Sequence, residues 1–129
     1  MENSIVIPLL TDAAIASGAT GAEVIYYGQP LNLISKFNTL CTFAQIDTLA
    51  ATTGTSTITV KAQWSVDGVT WANFTDALLT ATSAGAKTGT NNNTVGEFGP
   101  LVRFNVAISN GSSVQATARL TVVVIAHLV

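Results

Sequence analysis

Residues 101–126 alternate between apolar and polar side chains over most of their length, and this feature constrains the fold most strongly. A period of two residues places alternate side chains on opposite faces of a β-strand. The alternation stops at residues 109–111, Ser-Asn-Gly, so the segment predicts two strands joined as a β-hairpin. The two apolar faces come into register if this turn is a three-residue loop with Gly111 in the left-handed conformation. In that register Val106 lies opposite Val114.

The rest of the sequence predicts further short strands separated by turn residues. Residues 57–66 alternate most regularly, with Val66 on the inward face, and residues 40–46 carry apolar side chains on both faces, as in a central strand. Residues 11–17 combine a capping residue with several alanines and predict one or two helical turns. Residues 83–94 have many turn formers and no apolar periodicity, so they predict a surface loop.

About eight such strands predict an all-β protein of the antiparallel β-sandwich class, and a jelly roll is one arrangement within that class. We expect a single domain over residues 1–129, because no linker or repeat divides the chain. Residues 1–21 are expected to form an N-terminal arm or an edge segment, since Pro8 is tolerated at a sheet edge but not in a central ladder.

Charged residues are scarce in this chain, which has five basic and seven acidic residues and a net charge of -2. They make up 9% of the sequence, compared with about 25% in ordinary soluble domains. This composition suits a protein whose surface is largely covered by neighbours in a rigid assembly. No basic cluster suits a phosphate backbone, and no apolar run reaches the ~20 residues of a membrane helix. We therefore expect neither nucleic acid nor a membrane among its partners.

The residue types that usually carry catalysis are nearly missing, since the sequence has one histidine, His127, and one cysteine, Cys41. Nucleophilic and general-base mechanisms usually need a histidine or a perturbed pair of acids, and a structural zinc site needs four ligands. Asp67, Asp76 and Glu97 are separated by predicted loops. The sequence therefore predicts a non-enzymatic protein with no catalytic residues, no cofactor and no metal site.

Residues 65–71 contain the most recognisable local motif, Ser-Val-Asp-Gly-Val-Thr-Trp. The Asp-Gly pair predicts a tight hairpin turn, and that role explains the motif without a ligand. The motif is also similar to a hairpin of discoidin-like carbohydrate-binding domains. This resemblance implies an alternative function as a sugar-binding β-sandwich, with Trp71, Tyr26 and Tyr27 as candidates for an aromatic platform.

The same hairpin occurs here with the later segment GPLVRFNV at residues 99–106, with few charges, and with a surface rich in Ser, Thr, Gly and Asn. This combination resembles small virion proteins of tailed bacteriophages, especially head decoration (cement) proteins. The resemblance implies a homo-oligomer, with a trimer favoured, that is made in the host cytoplasm and lies on the outer capsid surface. There it would contact the major capsid protein and stabilise the head lattice. A tail or neck structural component is the related alternative.

Arg103 and Arg119 are the first pair of predicted partner-contacting residues. The hairpin register places Arg103 opposite Thr117 and diagonal to Arg119 on the outward face. Two like charges at that separation are mildly unfavourable. An acidic partner surface would relieve them, and arginine suits carboxylates because its guanidinium binds them through two hydrogen bonds.

Val123 and Ile125 are the second pair. They lie on the strand face that carries polar side chains earlier in the same strand, while Val122 and Val124 continue the core face. Such a strand needs cover on both sides. We expect a neighbouring subunit to provide it, with an arm from residues 5–10 of the same chain as the alternative.

Overall fold

The protein is described here by a computed structural model, which covers residues 4–18, 23–27, 31–32, 37–51, 54–73, 77–91, 101–111 and 114–128. All the regular elements in these ranges are β-strands. They are β1 (Ser4–Ala16), β2 (Val24–Tyr27), β3 (Leu31–Asn32), β4 (Phe37–Ala50), β5 (Ser56–Ser65), β6 (Ala72–Asn73), β7 (Leu79–Ala81), β8 (Gly85–Asn91), β9 (Leu101–Asn110) and β10 (Thr117–Leu128).

The strands form two antiparallel sheets. The four-stranded sheet has the order β1-β10-β4-β8. In the six-stranded sheet β9 and β5 are central, with β2 and β3 both pairing with β9, and β6 and β7 both pairing with β5. Because two short strands share each outer edge, the sandwich has four strand positions per sheet. This confirms the predicted all-β sandwich of about eight strands.

The order of pairing is that of a jelly roll. β1 pairs with β10, β2 and β3 pair with β9, β4 pairs with β8, and β5 pairs with β6 and β7. The chain is therefore folded back on itself as one long hairpin, first strand against last. The hairpin is then rolled so that β10 also pairs with β4 and β9 with β5, which places four strand positions in each layer.

The core lies between the two sheets and is built from the inward side chains of the long strands. β9 contributes Val102, Phe104, Val106 and Ile108, all at most 1% exposed. β10 lies in the opposite sheet and contributes four fully buried side chains, those of Leu120, Val122, Val124 and Ala126. The alternation of the sequence therefore identified the inward faces of both strands correctly.

The predicted hairpin between these two strands is wrong. β9 lies in the six-stranded sheet and β10 in the four-stranded sheet, so their apolar faces meet across the core instead of lying side by side. Val106 is paired with Tyr26 and Val60 and not with Val114. Gly111 has no left-handed φ, because the chain here crosses between layers and does not turn back on β9.

Residues 11–17 are extended, so the predicted helical turns are also wrong. Residues 4–16 form edge strand β1, which pairs with β10 along most of its length. The pairing shifts register between Pro8 and Leu10 and again between Leu10 and Ala13, and Asp12 takes a φ of 44° at this irregularity. The ladder with β10 outweighs the modest helix propensity of the alanines.

The strands at residues 40–46 and 57–66 were predicted correctly, whereas a third strand was taken for a loop. β4 lies inside its sheet, as predicted for residues 40–46, and β5 is also a central strand. Within the predicted loop at 83–94, however, β8 spans Gly85–Asn91 and pairs with β4. Residues 92–94 lie outside the described residues.

Candidate functional site

The turn at residues 65–71 is held by a network centred on one carboxylate. Asp67 Oδ1 accepts hydrogen bonds from the Ser65 hydroxyl at 3.0 Å, from the Val69 amide at 2.8 Å and from the Thr70 amide at 2.9 Å. Ser65 Oγ in turn accepts from the Gly68 amide at 2.8 Å, and Gly68 has a φ of 79°. The motif therefore turns the chain from β5 to β6 at the position predicted from Asp-Gly. The turn is longer than the tight one predicted, because the last cross-strand pair is Trp64 with Ala72.

These hydrogen bonds also favour the ionised form of the Asp67 carboxyl group. The amides of Thr70 and Val69, with the hydroxyl of Ser65, hold the pKa of Asp67 below its ordinary value of 3.8. An ionised carboxylate is the form that accepts these hydrogen bonds best. The network is therefore complete at neutral pH.

Two valines project from this turn. Val66 is 71% exposed and Val69 is 82% exposed. The prediction that Val66 points inward is wrong, because β5 ends at Ser65 and the turn breaks the alternation there. A turn fixed by four hydrogen bonds thus presents two apolar side chains to solvent.

Trp71 lies against Arg103. The guanidinium carbon is 4.2 Å from the centroid of the Trp71 ring, within the range of a cation–π contact. Arg103 Nε also donates to Gln63 Oε1 at 2.7 Å, and Gln63 Nε2 donates to Asn73 Oδ1 at 2.7 Å. One face of the Trp71 ring is therefore occupied by the chain's own arginine, where a stacked sugar would otherwise sit.

The other candidate platform residues are at the opposite edge of the six-stranded sheet. Tyr26 and Tyr27 belong to β2, opposite Val106 and Asn105 of β9. Trp71 directly precedes β6, which lies along the other edge. The backbone therefore does not bring the three aromatic residues together in one strand pair.

Arg119 is not a neighbour of Arg103, so the predicted like-charge pair is wrong. Arg119 lies in the four-stranded sheet, where its Nε and Nη2 donate to the two carboxylate oxygens of Asp12 at 2.7 and 2.9 Å. The hydrogen bond and the charge of Arg119 lower the pKa of Asp12, and those of Asp12 raise the pKa of Arg119. Asp12 also donates its amide to Thr121 Oγ1 at 2.9 Å, so Arg119 already has an acidic partner within the chain.

Val123 and Ile125 point away from the core, since their neighbours Val122 and Val124 are fully buried and alternate side chains face opposite ways. They lie in the middle of a surface that we call the apolar face, on the outer side of the four-stranded sheet. Its cross-strand rows are Val6, Ile125 and Cys41, followed by Pro8, Val123 and Phe43.

The apolar face is open to solvent. Val6 is 63% exposed and Phe43 is 41% exposed, whereas Val123 and Ile125 in the centre are half-buried. Residues 5–10 pair with β10 in the same sheet and do not fold across this face. Within the described residues they therefore do not cover Val123 and Ile125, which was the alternative to a neighbouring subunit. Val6 and Phe43 were missed by sequence reasoning, because their exposure depends on which strands flank β10.

The described residues contain no cluster of three or more His, Cys, Asp or Glu side chains that could hold a metal ion. None of their segments is a helix with the length and hydropathy needed to cross a membrane. His127 Nδ1 lies 3.0 Å from the Ser4 hydroxyl, at the end of the β1–β10 ladder.

No protein-family model and no curated protein matches the chain. Solved structures do match. The structure of infectious bursal disease virus Gx strain aligns with a TM-score of 0.57 and 10% identity over 99% of this chain and 32% of that chain. The T13 particle of the same virus aligns with a TM-score of 0.55 and 13% identity over 98% and 31%.

A tailspike protein is similar to the same extent. The enzymatically active domain of bacteriophage CBA120 tailspike protein 4 aligns with a TM-score of 0.52 and 10% identity, over 98% of this chain and 19% of that chain. The chain thus spans about a third or less of each of these three chains. At these identities the likeness is one of fold: this jelly roll also occurs in proteins of virus particles and in a phage tailspike.

Proposed function

We propose that this chain is a non-enzymatic structural β-domain of a virus particle, and that it acts as a capsid decoration protein on the outer surface of the head. The observation that carries the proposal is the jelly roll itself, which aligns over 98–99% of the chain with proteins of virus particles. The scarcity of charge in the sequence supports it, because a surface with 9% charged residues suits a protein covered by neighbours.

The proposed mechanism is mass action. A protein that binds the assembled lattice, and not its separated subunits, stabilises the assembly by its binding free energy at every occupied site. At a concentration 100 times the dissociation constant, that term is about 2.7 kcal/mol per site. Many sites on one particle then act together.

We assign the contact with the major capsid protein to the 65–71 turn. Among the described residues, Val66 and Val69 are the most exposed large apolar side chains, and the Asp67 network holds the turn that carries them before binding. A preorganised apolar tip loses little conformational entropy on docking. Burial of both valines would contribute about 2 to 4 kcal/mol.

The test is co-sedimentation with purified undecorated capsids, followed by thermal melting of the particles. We expect the wild-type protein to co-sediment and to raise the capsid melting temperature, and the variant Val66→Asp/Val69→Asp to do neither. The control Ala77→Asp/Thr80→Asp adds the same two charges at exposed positions near β7 and should behave as wild type. Capsids that melt at the same temperature with and without saturating wild-type protein would contradict the proposal.

A tail component is the second candidate, and the likeness to the CBA120 tailspike domain is the observation that favours it. Purified tails in the same co-sedimentation assay separate the two functions, since a tail component binds tails and not capsids. The carbohydrate-binding alternative has less support, because Arg103 lies over the Trp71 ring.

A further inference from the structure

We propose that the apolar face is the interface between two copies of this chain. The face combines an exposed fraction of 63% at Val6 and 41% at Phe43 with half-buried Val123 and Ile125 between them. This inference does not depend on the virion function, because it concerns what the purified chain does by itself.

The chemistry of the apolar face indicates which kind of molecule would bind it. Its two rows contain no charged side chain, and Thr88 of β8 pairs with Phe43 at the end of the second row. The exposed Arg119–Asp12 pair lies towards the other end of the sheet, where the charge of Asp47 also acts on Arg119. An apolar centre without charge is complementary to a second copy of itself, since no charge of opposite sign is needed from a partner.

The size of the sheet also fits a second copy. Its strands contain 13, 12, 14 and 7 residues. With a rise of about 3.3 Å per residue and about 4.8 Å between strands, the sheet covers roughly 730 Å². A stable interface buries about 800 Å² on each partner, so this face supplies nearly the whole area. The apolar rows would be the core of the interface and the polar end its rim.

The edges of this sheet disfavour the other route to association, which is growth of the sheet strand by strand. β1 carries Pro8, which has no amide hydrogen, and two register shifts follow it. β8, at the other edge, carries Lys87. Association is thereby directed to the face. A sheet face that packs on its own copy closes with two-fold symmetry, so we infer a pair of chains where the resemblance implied a trimer.

The first test measures mass in solution by light scattering. We expect the wild-type protein to have twice the mass of one chain, and the variant Val6→Asp/Phe43→Asp to have the mass of one chain with an unchanged circular dichroism spectrum. Both positions are exposed, so charge there should perturb the fold little. The control Ala77→Asp/Thr80→Asp should keep the doubled mass. The variant of the central pair, Val123→Asp/Ile125→Asp, should have the mass of one chain, like Val6→Asp/Phe43→Asp.

A second measurement needs no variant, because the only cysteine of the chain, Cys41, is half-buried in the apolar face. Pairing should cover its thiol, so the rate of reaction with a maleimide should fall as protein concentration rises. A wild-type protein with the mass of one chain and a concentration-independent thiol reaction would overturn the proposal. Capsid binding by the single-chain Val6→Asp/Phe43→Asp variant would leave the decoration function standing, so the two proposals can fail separately.

Discussion

Replacing Gly89 by alanine is expected to destabilise the protein, because the two sheets approach closely at this residue. Gly89 lies in β8 opposite Thr42, and a Cβ placed on it would be 2.1 Å from the carbonyl oxygen of Leu78. That oxygen cannot easily retreat, since the Leu78 amide donates to the Val60 carbonyl at 2.8 Å and ties this segment to β5. The edge of the sheet at β8 must therefore move outward by roughly 1 Å to restore a normal contact.

The expected loss of stability follows from this contact. Overpacking of this kind typically costs about 1 to 3 kcal/mol, and the lower conformational entropy of alanine in the unfolded chain returns up to about 1 kcal/mol. We therefore expect a net loss of about 1 to 2 kcal/mol. An unfolding entropy of about 2.1 cal/mol/K per residue gives roughly 270 cal/mol/K for this chain, so the melting temperature should fall by about 4 to 7 °C.

Calorimetric melting of two single variants tests this expectation. Gly111→Ala is the matched control, because a Cβ there has no neighbour within 4 Å and the residue has no left-handed φ. It should melt within about 1 °C of wild type or slightly above it. Equal melting temperatures for Gly89→Ala and Gly111→Ala would refute the close approach of β8 to the Leu78 carbonyl.

Two further predictions concern the turn and the core. The folded pKa of Asp67 lies below its ordinary value of 3.8, so its contribution to stability is complete above that pH and is lost as pH falls through the lower, folded value. The melting temperature of Asp67→Asn should thus lie below that of wild type at pH 7, and the gap should shrink below about pH 4; a gap independent of pH would contradict this. Phe104→Ala should cost about 3 to 5 kcal/mol in urea unfolding, because Phe104 is only 1% exposed, and a loss under about 1 kcal/mol would mean that this part of the core repacks.

Much of the fold could be predicted from the sequence because alternation reports directly on burial. Phe104 and Val106 were predicted to face inward and are buried, as are Leu120 and Val122. Alternation does not report which strands pair with each other in a sheet. Two strands with apolar faces give the same sequence pattern whether those faces lie side by side in one sheet or meet across a core, so the pattern could not show that β9 and β10 lie in separate layers.

The missed strand has a similar explanation. β8 lacks an apolar period, and at position 89 the nearby Leu78 carbonyl leaves room for glycine and for no larger residue. Its composition of small and turn-forming residues therefore predicts a loop, although β4 pairs with it. The like-charge pair predicted for Arg103 and Arg119 is wrong because it was derived from the hairpin, so one wrong strand pairing also misplaced both charges.

The separation of β9 from β10 is fixed by contacts that link the end of β1 with the start of β10. Buried Ser17 donates its amide to the Ala116 carbonyl at 2.9 Å, and its hydroxyl accepts from the Ala116 amide at 2.8 Å. The side chain of Gln115 donates through Nε2 to the Ser17 carbonyl at 2.9 Å, so the segment entering β10 is bound to residues near the start of the sequence. The Asn110 side chain donates to the Val114 carbonyl at 2.8 Å, which closes the crossing locally. Because Ser17 satisfies the polar groups of Gln115 and Ala116 from about 100 positions away, the crossing could not be recognised from the local sequence alone.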